Sequence, residues 1–367
     1  MKIFKQPLTS ILVMLVLIMA ACAGCASTPG NDSTGTTEPV TPAYIADTGQ
    51  PVPSAPGSAC TPVTITQTNG IPVTLPCMPH RIIVTNSDAA EMLIALGAAD
   101  TVVGITETTK NISYVMDKIP TAQSIGDWQT PNIEWMLSLK PDAVISYASS
   151  KPKNLDQILA ANITVIYLDC YRLPKLAQDA RAVGALTGHE QKAETYAQMI
   201  ENTMALVKGD VAAIPQDNLP RVYFEGYSDF TAAGTGSGSD ELLTMAGGKN
   251  IVASLSTSSS PKVSAEWVVS QNPAYIMKVI SAKETRPYPE IVETLKKRTG
   301  WNTISAIKQD RIYLFGSGIE YGPKAYIGLA ATAKVLHPDL FVDLDPEKML
   351  DAYAGEYVAG TNMTAMM

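Results

Sequence analysis

Residues 187–214 read TGHEQKAETYAQMIENTMALVKGDVAAI. Apolar residues recur at 193, 196/197, 200, 204, 207, 211 and 214, which is the spacing of one helix face. Thr187 followed by Glu190 matches a capping box, in which a hydroxyl and a carboxylate satisfy free N–H groups at a helix start. The pattern predicts one helix over 187–214, roughly 40 Å long at 1.5 Å per residue. A rod of that length can link two lobes and hold them at a fixed separation.

The flanks of this rod repeat one another. Before it, strand patterns at 80–85, 101–105, 143–147 and 164–168 alternate with helix patterns at 88–96, 131–139 and 155–161. After it, strand patterns at 221–225, 275–280 and 311–315 alternate with helix patterns at 240–246, 265–271 and 290–298. Glu134-Trp135-Met136-Leu137…Pro141 returns as Glu266-Trp267-Val268-Val269…Pro273, and Ala90-Glu91-Met92-Leu93…Gly97 as Asp240-Glu241-Leu242-Leu243…Gly247. Alternating strands and helices give parallel sheets covered on both faces. The expected fold is α/β, with two related Rossmann-like lobes (60–186 and 215–357) joined by the helix at 187–214.

Further out, Cys60 and Cys77 flank two β-rich runs separated by Asn69-Gly70, a strong hairpin signal. With the turn at Asn69-Gly70, residue 62 faces residue 77. Cys60 is then two residues out of register, a gap that a bulge or chain end absorbs, and a disulfide between Cys60 and Cys77 is expected. Cys170 is left unpaired, as a small buried apolar filler.

The extreme N-terminus is a targeting segment. Lys2 and Lys5 precede an uncharged apolar run, Ile11 to Ala21, too short for a comfortable membrane span of about 20 residues. Ala20-Ala21-Cys22-Ala23-Gly24-Cys25 follows, and a cysteine directly after small residues resembles a lipoprotein cleavage point. Residues 1–24 are read as the signal peptide, with Cys25 or Cys22 as the lipidated residue. Residues 25–59, rich in Ser, Thr, Pro and Gly, form a flexible tether, and residues 358–367 form a tail. The whole chain carries a formal charge of −8; losing two lysines and no acid with the signal takes it to −10. That charge, with no basic cluster, speaks against nucleic acid. Three scattered histidines offer neither a multi-histidine metal site nor His-based catalysis.

Along the chain, Arg81-Ile82-Ile83-Val84, Leu96-Gly97, Ile125-Gly126-Asp127-Trp128, Pro131-Asn132-Ile133-Glu134, Gly236-Ser237-Gly238, Gly247-Gly248, Val263-Ser264, Arg311-Ile312-Tyr313 and His337-Pro338-Asp339-Leu340-Phe341 occur in order. This ordered set, over about residues 62–357, resembles the helical-backbone (class III) substrate-binding proteins of ABC importers, the receptors for iron–siderophores, haem and vitamin B12. The resemblance implies an extracytoplasmic, lipid-anchored receptor on the outer face of the cell membrane and not an enzyme. It would carry a metal chelate, with no cofactor of its own and iron or cobalt in its cargo, to a permease dimer with ATPase subunits. A bare metal-ion receptor, or an exported surface protein or enzyme on the same fold, is the alternative.

Parallel sheets bind at the carboxyl ends of their strands. The loops to examine are therefore 85–88, 127–129, 147–149, 169–172, 225–227, 278–286 and 317–321. They supply Ser87, Trp128, Tyr147, Tyr171, Arg172, Tyr227, Arg286 and Tyr321 as candidate ligand contacts. The aromatics suit a large planar or multi-ring ligand; Arg172, Lys278 and Arg286 suit ligand carboxylates. By the resemblance, Glu134 and Glu266 dock against permease arginines, one on each lobe. The glycine-rich stretch 234–240 lacks the Gly-Lys-Ser/Thr ending of a phosphate loop and reads as a loop leading to a Ser239 helix cap.

Overall fold

The computed structural model describes residues 60–255, 258–281, 284–316 and 318–357. The signal peptide with Cys22, the tether with Cys25, and the tail lie outside the described residues. No helix among the described residues is long and apolar enough to cross a membrane.

The chain opens with an antiparallel hairpin, β1 (Val63–Thr66) and β2 (Pro72–Leu75), paired Val63 to Leu75 and Thr66 to Pro72. Its loop is Gln67–Ile71, closed by Gln67 N–H to Ile71 O at 3.1 Å, with Gly70 at φ 83°. The two-residue Asn69-Gly70 turn is thus replaced by a longer loop and the register moves by one. Continuing that register sets Thr61 opposite Cys77, so Cys60 is one residue out of step. Cys60 and Cys77 form a disulfide with their Cα atoms 5.0 Å apart.

The first lobe's parallel sheet contains β3 (Ile82–Val84), β4 (Val102–Ile105), β5 (Gln123–Ser124), β6 (Ala143–Ser146) and β7 (Val165–Tyr167), in the order β5-β4-β3-β6-β7. The second contains β8 (Arg221–Glu225), β9 (Lys249–Asn250), β10 (Tyr275–Ile280) and β11 (Ile312–Gly316), in the order β11-β10-β8-β9. Both sheets are parallel throughout. The order β4-β3-β6-β7 therefore matches β9-β8-β10-β11, and β5 is an extra edge strand. Strands such as β6 and β10 are buried along their whole length because helices cover both faces. The α/β fold with two parallel-sheet lobes and a linking helix is the observed one.

The link differs in detail from the helical pattern of 187–214. A 15-residue helix, Leu173–Thr187, ends at Gly188 (φ 72°), and a 22-residue helix, Glu190–Val211, follows. Thr187 belongs to the first of these and donates its hydroxyl back to Val183 O at 2.8 Å, so no capping box forms. The second helix is roughly 33 Å long at 1.5 Å per residue. Arg181 clamps the pair, its Nε 2.6 Å from Glu194 and its Nη1 2.5 Å from Glu201. The lobes are thus joined by a helical hairpin. One cluster of buried apolar side chains runs from Val84 and Leu93 through Ile200 and Val207 to Leu242 and Leu329.

Two helices after β11 complete the link. Ala325–Leu336 sets Tyr326 against Tyr196 of the long helix, with ring centres 6.0 Å apart. Pro346–Glu356 crosses back to the first lobe, where the Tyr353 hydroxyl donates to Glu91 Oε1 at 2.8 Å.

Candidate functional site

A cavity of about 570 Å³ lies between the lobes at the carboxyl ends of both sheets. Thr85–Asp88 follow β3, Thr106 and Thr108 follow β4, Tyr147 follows β6 and Tyr171 follows β7. From the other side, Tyr227 follows β8, Val279 lies near the end of β10, and Glu320 and Tyr321 follow β11.

Short turns fix these side chains. Asn86 caps helix Ser87–Leu96, its Oδ1 accepting from Ala89 N at 2.6 Å and its amide donating to Leu168 O at 3.1 Å. That cap brings Ser87 and Asp88 to the cavity wall. Asp169 Oδ1 accepts from the Ala148 and Ser149 amides at 2.8 and 3.1 Å and so ties the loop after β6 to the one after β7. Asp179 holds that second loop from behind: its oxygens accept the Thr68 hydroxyl (2.7 Å) and the Cys170 amide (2.9 Å), while burial pushes its carboxyl up to about 6. Cys170 is buried and unpaired, and sits at φ 55°.

An aromatic arc crosses the cavity. Trp128 meets Tyr147 edge to face at 5.9 Å, Tyr147 meets Tyr171 at 5.9 Å, and Tyr171 meets Tyr321 of the other lobe at 6.4 Å. The Tyr227 and Tyr321 hydroxyls are 2.7 Å apart. Six of the eight residues singled out in the sequence, Ser87, Trp128, Tyr147, Tyr171, Tyr227 and Tyr321, line the cavity.

Arg172 and Arg286 are not among its lining residues. Arg172 is ion-paired across the lobes with Glu241, and Arg286 with Glu284 at 2.7 Å. Lys278 is also committed, to Glu225 at 2.7 Å. Glu225 takes Arg298 at 2.8 Å as well, together with the Tyr223 hydroxyl and the Phe230 amide. Burial pushes the Glu225 carboxyl up, but Arg298 and Lys278 outweigh it and hold the group below its usual range. The three cations proposed for ligand carboxylates are thus neutralised by neighbouring acids. Sequence spacing cannot show the pairs of Lys278 and Arg172, whose partners are 53 and 69 residues away, whereas Glu284 stands only two residues from Arg286.

Two cavity residues were passed over within loops read as cleft-facing. Asp88 is buried against Gly322, whose φ of 84° lets the β11 loop approach so closely that a β-carbon there would lie 2.9 Å from Asp88 Oδ1. Glu320 is 2% exposed; its Oε1 accepts from the Tyr227 hydroxyl at 3.2 Å, and its Oε2 has no hydrogen-bond partner among the described residues. Burial pushes both carboxyls up to about 7, with Glu91 adding to the rise at Asp88 and Lys324 opposing it. Ser239 also lines the cavity. It is free to do so because Ser237, not Ser239, caps the helix, which begins at Gly238.

Glu134 and Glu266 occupy matched surface positions. Each is exposed in the first turn of a helix, Ile133–Ser138 or Ala265–Gln271, behind a side-chain cap from Asn132 or Ser264. Neither has an ion-pair partner among the described residues. Trp135, next to Glu134, is 53% exposed. Among the described residues no group of three or more His, Cys, Asp or Glu side chains is placed to hold a metal ion.

Residues 82–317 match the family model described as periplasmic binding protein. The chain belongs to that family. It is 27% identical over 288 residues, 76% of this chain and 87% of the relative, to the Bacillus subtilis protein named uncharacterized ABC transporter substrate-binding lipoprotein YvrC. It is 28% identical over 278 residues, 75% of this chain and 69% of the relative, to the cobalamin-binding protein of Halobacterium salinarum. Among solved structures it superposes on the molybdate-bound periplasmic binding protein MolA of Haemophilus influenzae with a TM-score of 0.69 and 22% identity, covering 82% of this chain and 99% of that one. The last likeness concerns the fold.

Proposed function

We propose that this periplasmic binding protein is a lipid-anchored receptor, held outside the cell membrane through Cys25 or Cys22, which captures a metal chelate between its lobes and delivers it to an ABC importer. The observation that carries the reading is the aromatic arc, which both lobes contribute and which lines a cavity of about 570 Å³. Edge-to-face rings present broad apolar faces to a multi-ring ligand. Trp128, Tyr147, Tyr171, Tyr227 and Tyr321 are the contacts, with Ser87 at the helix start. The metal, iron or cobalt, arrives within the ligand, and a bare ion would need a coordinating set. Glu134 and Glu266 meet cationic residues of a permease dimer, whose ATPase subunits drive import. Substrate-binding and cobalamin-binding names among the relatives support this reading.

The test is titration of the purified chain with a corrinoid, haem and a ferric siderophore, followed by tryptophan fluorescence. Saturable quenching by at least one is expected, and Trp128→Phe should reduce the amplitude. No saturable binding of any of the three sinks the proposal.

A further inference from the structure

The cavity holds two carboxyl side chains and, among the described residues, no cation. The neighbouring cations already have acidic partners: Arg172 has Glu241, Lys278 and Arg298 have Glu225, Arg286 has Glu284 and Lys324 has Glu91. We infer that the cavity takes a neutral or cationic ligand that presents hydrogen-bond donors to Glu320 and Asp88, and rejects anionic chelates and oxyanions. This inference rests on the receptor reading above.

Three features carry it. Glu320 Oε2 is a buried acceptor with no hydrogen-bond partner among the described residues, and leaving a buried polar atom unsatisfied is costly until a donor reaches it. Asp88 has one side-chain donor, the Tyr147 hydroxyl at a long 3.4 Å. The rest of the polar wall consists largely of Ser and Thr hydroxyls such as Thr85, Thr106, Ser149 and Ser239, which donate or accept equally well and so impose no sign. An anion placed here would be buried beside two carboxyls and the electron-rich faces of tyrosines, with no counter-charge to offset its desolvation. Amide or ammonium donors would instead satisfy Glu320 and Asp88, and a cation would gain from the rings.

Charge state adds a second signature. Asp88 faces Glu91, Lys324 and Tyr147; Glu320 faces Tyr227, Tyr321 and Asp88. Burial keeps both carboxyls titrating near 7 in the empty cavity. A ligand that donates to them favours the ionised forms, so binding releases protons and strengthens as pH rises through 7.

The experiment is a fluorescence titration of the full chain at pH 6 and pH 8 with four probes. Cyanocobalamin is net neutral and amide-rich, ferrioxamine B is cationic, and haemin and molybdate are anionic. Cyanocobalamin or ferrioxamine B should bind at least about 100-fold more tightly than either anion, and more tightly at pH 8 than at pH 6. Glu320→Leu should weaken the preferred probe by about tenfold, the scale of one hydrogen bond to a charged group; circular dichroism checks its folding, and the wild-type panel needs no variant. Haemin or molybdate binding as tightly as the other probes overturns the inference and leaves the receptor reading standing. So does a preferred probe indifferent to both pH and Glu320→Leu. Failure of all four probes, which include a corrinoid, haem and a ferric siderophore, overturns the receptor reading itself and this inference with it.

Discussion

The two lobes share one topology and furnish the cavity differently. In the first lobe β3 runs almost directly into helix Ser87–Leu96, and the side chains of Asn86 and Asp169, accepting from main-chain amides, hold the wall. In the second, residues 226–237 separate β8 from helix Gly238–Met245. That longer connection is fastened by the buried Glu225, which gathers Lys278, Arg298 and the Phe230 amide. The first lobe contributes Trp128, Tyr147 and Tyr171 as a packed edge-to-face series; the second contributes Tyr227, Tyr321 and Glu320, linked through hydroxyl and carboxyl contacts. A duplicated frame thus supports two wall chemistries, because strand order constrains where a loop emerges and not what it carries.

The sharpest way to break the equivalence of the lobes is at Glu134 and Glu266. Charge reversal of both, Glu134→Arg with Glu266→Arg, should reduce ligand-stimulated ATP hydrolysis by the reconstituted transporter to its basal rate. Ligand titration of the isolated receptor should stay unchanged. Equal losses in the two single variants would show that the lobes dock alike. A larger loss at Glu134 would implicate the exposed Trp135 beside it. Normal stimulation in the double variant would rule out docking through these two carboxylates.

A smaller effect is expected where the lobes meet. Glu91 and Lys324, 6% and 2% exposed at the side chain, form an ion pair between the lobes, and the Tyr114 and Tyr353 hydroxyls complete the Glu91 carboxylate. Glu91→Ala strands a buried ammonium and should cost about 3–5 kcal/mol in denaturant unfolding. Arg172→Ala, which breaks the more exposed interlobe pair with Glu241, should cost less than about 1 kcal/mol. Similar costs for the two would show that burial does not distinguish these contacts. Pairing Glu91→Leu with Lys324→Met should recover most of the loss.

An effect confined to one pH range is expected at the second lobe's carboxyl. The Glu320 value in the folded chain is about 7, above the ordinary carboxylate range. The folded chain therefore binds this proton more tightly than the unfolded chain does, and stability falls as pH rises from about 4 to 7. Glu320→Gln should consequently raise the melting temperature of the ligand-free protein at pH 8 and leave it nearly unchanged at pH 4.5. A difference that is constant across pH would assign the effect to packing and not to charge.

Much of this frame was legible because it is local. Gly97 adopts φ 93° at the end of helix Ser87–Leu96, where a left-handed cap was to be expected. The Glu-Trp repeat marks helices that start behind equivalent caps, Asn132 and Ser264. The aromatics were legible as well, since the loops past the carboxyl ends of parallel strands form the cleft. The helix at Leu173–Thr187 was not: the apolar spacing was followed only from Thr187, and the hairpin that this helix forms with Glu190–Val211 is clamped by Arg181 on Glu194 and Glu201.

By itself, then, the sequence determined the strand–helix alternation, the duplication, the hairpin near Cys60 and Cys77, and the loops that form the cleft. These follow from periodicity and turn chemistry, which act over a few residues. Only the tertiary structure decided the charge of the site. Arg172 and Lys278 look available along the chain, yet folding brings Glu241 and Glu225 to them. It also withdraws Asp88 and Glu320 from water between the lobes. Electrostatic character depends on distance and burial in three dimensions, and neither is encoded in the spacing of residues along a strand or helix.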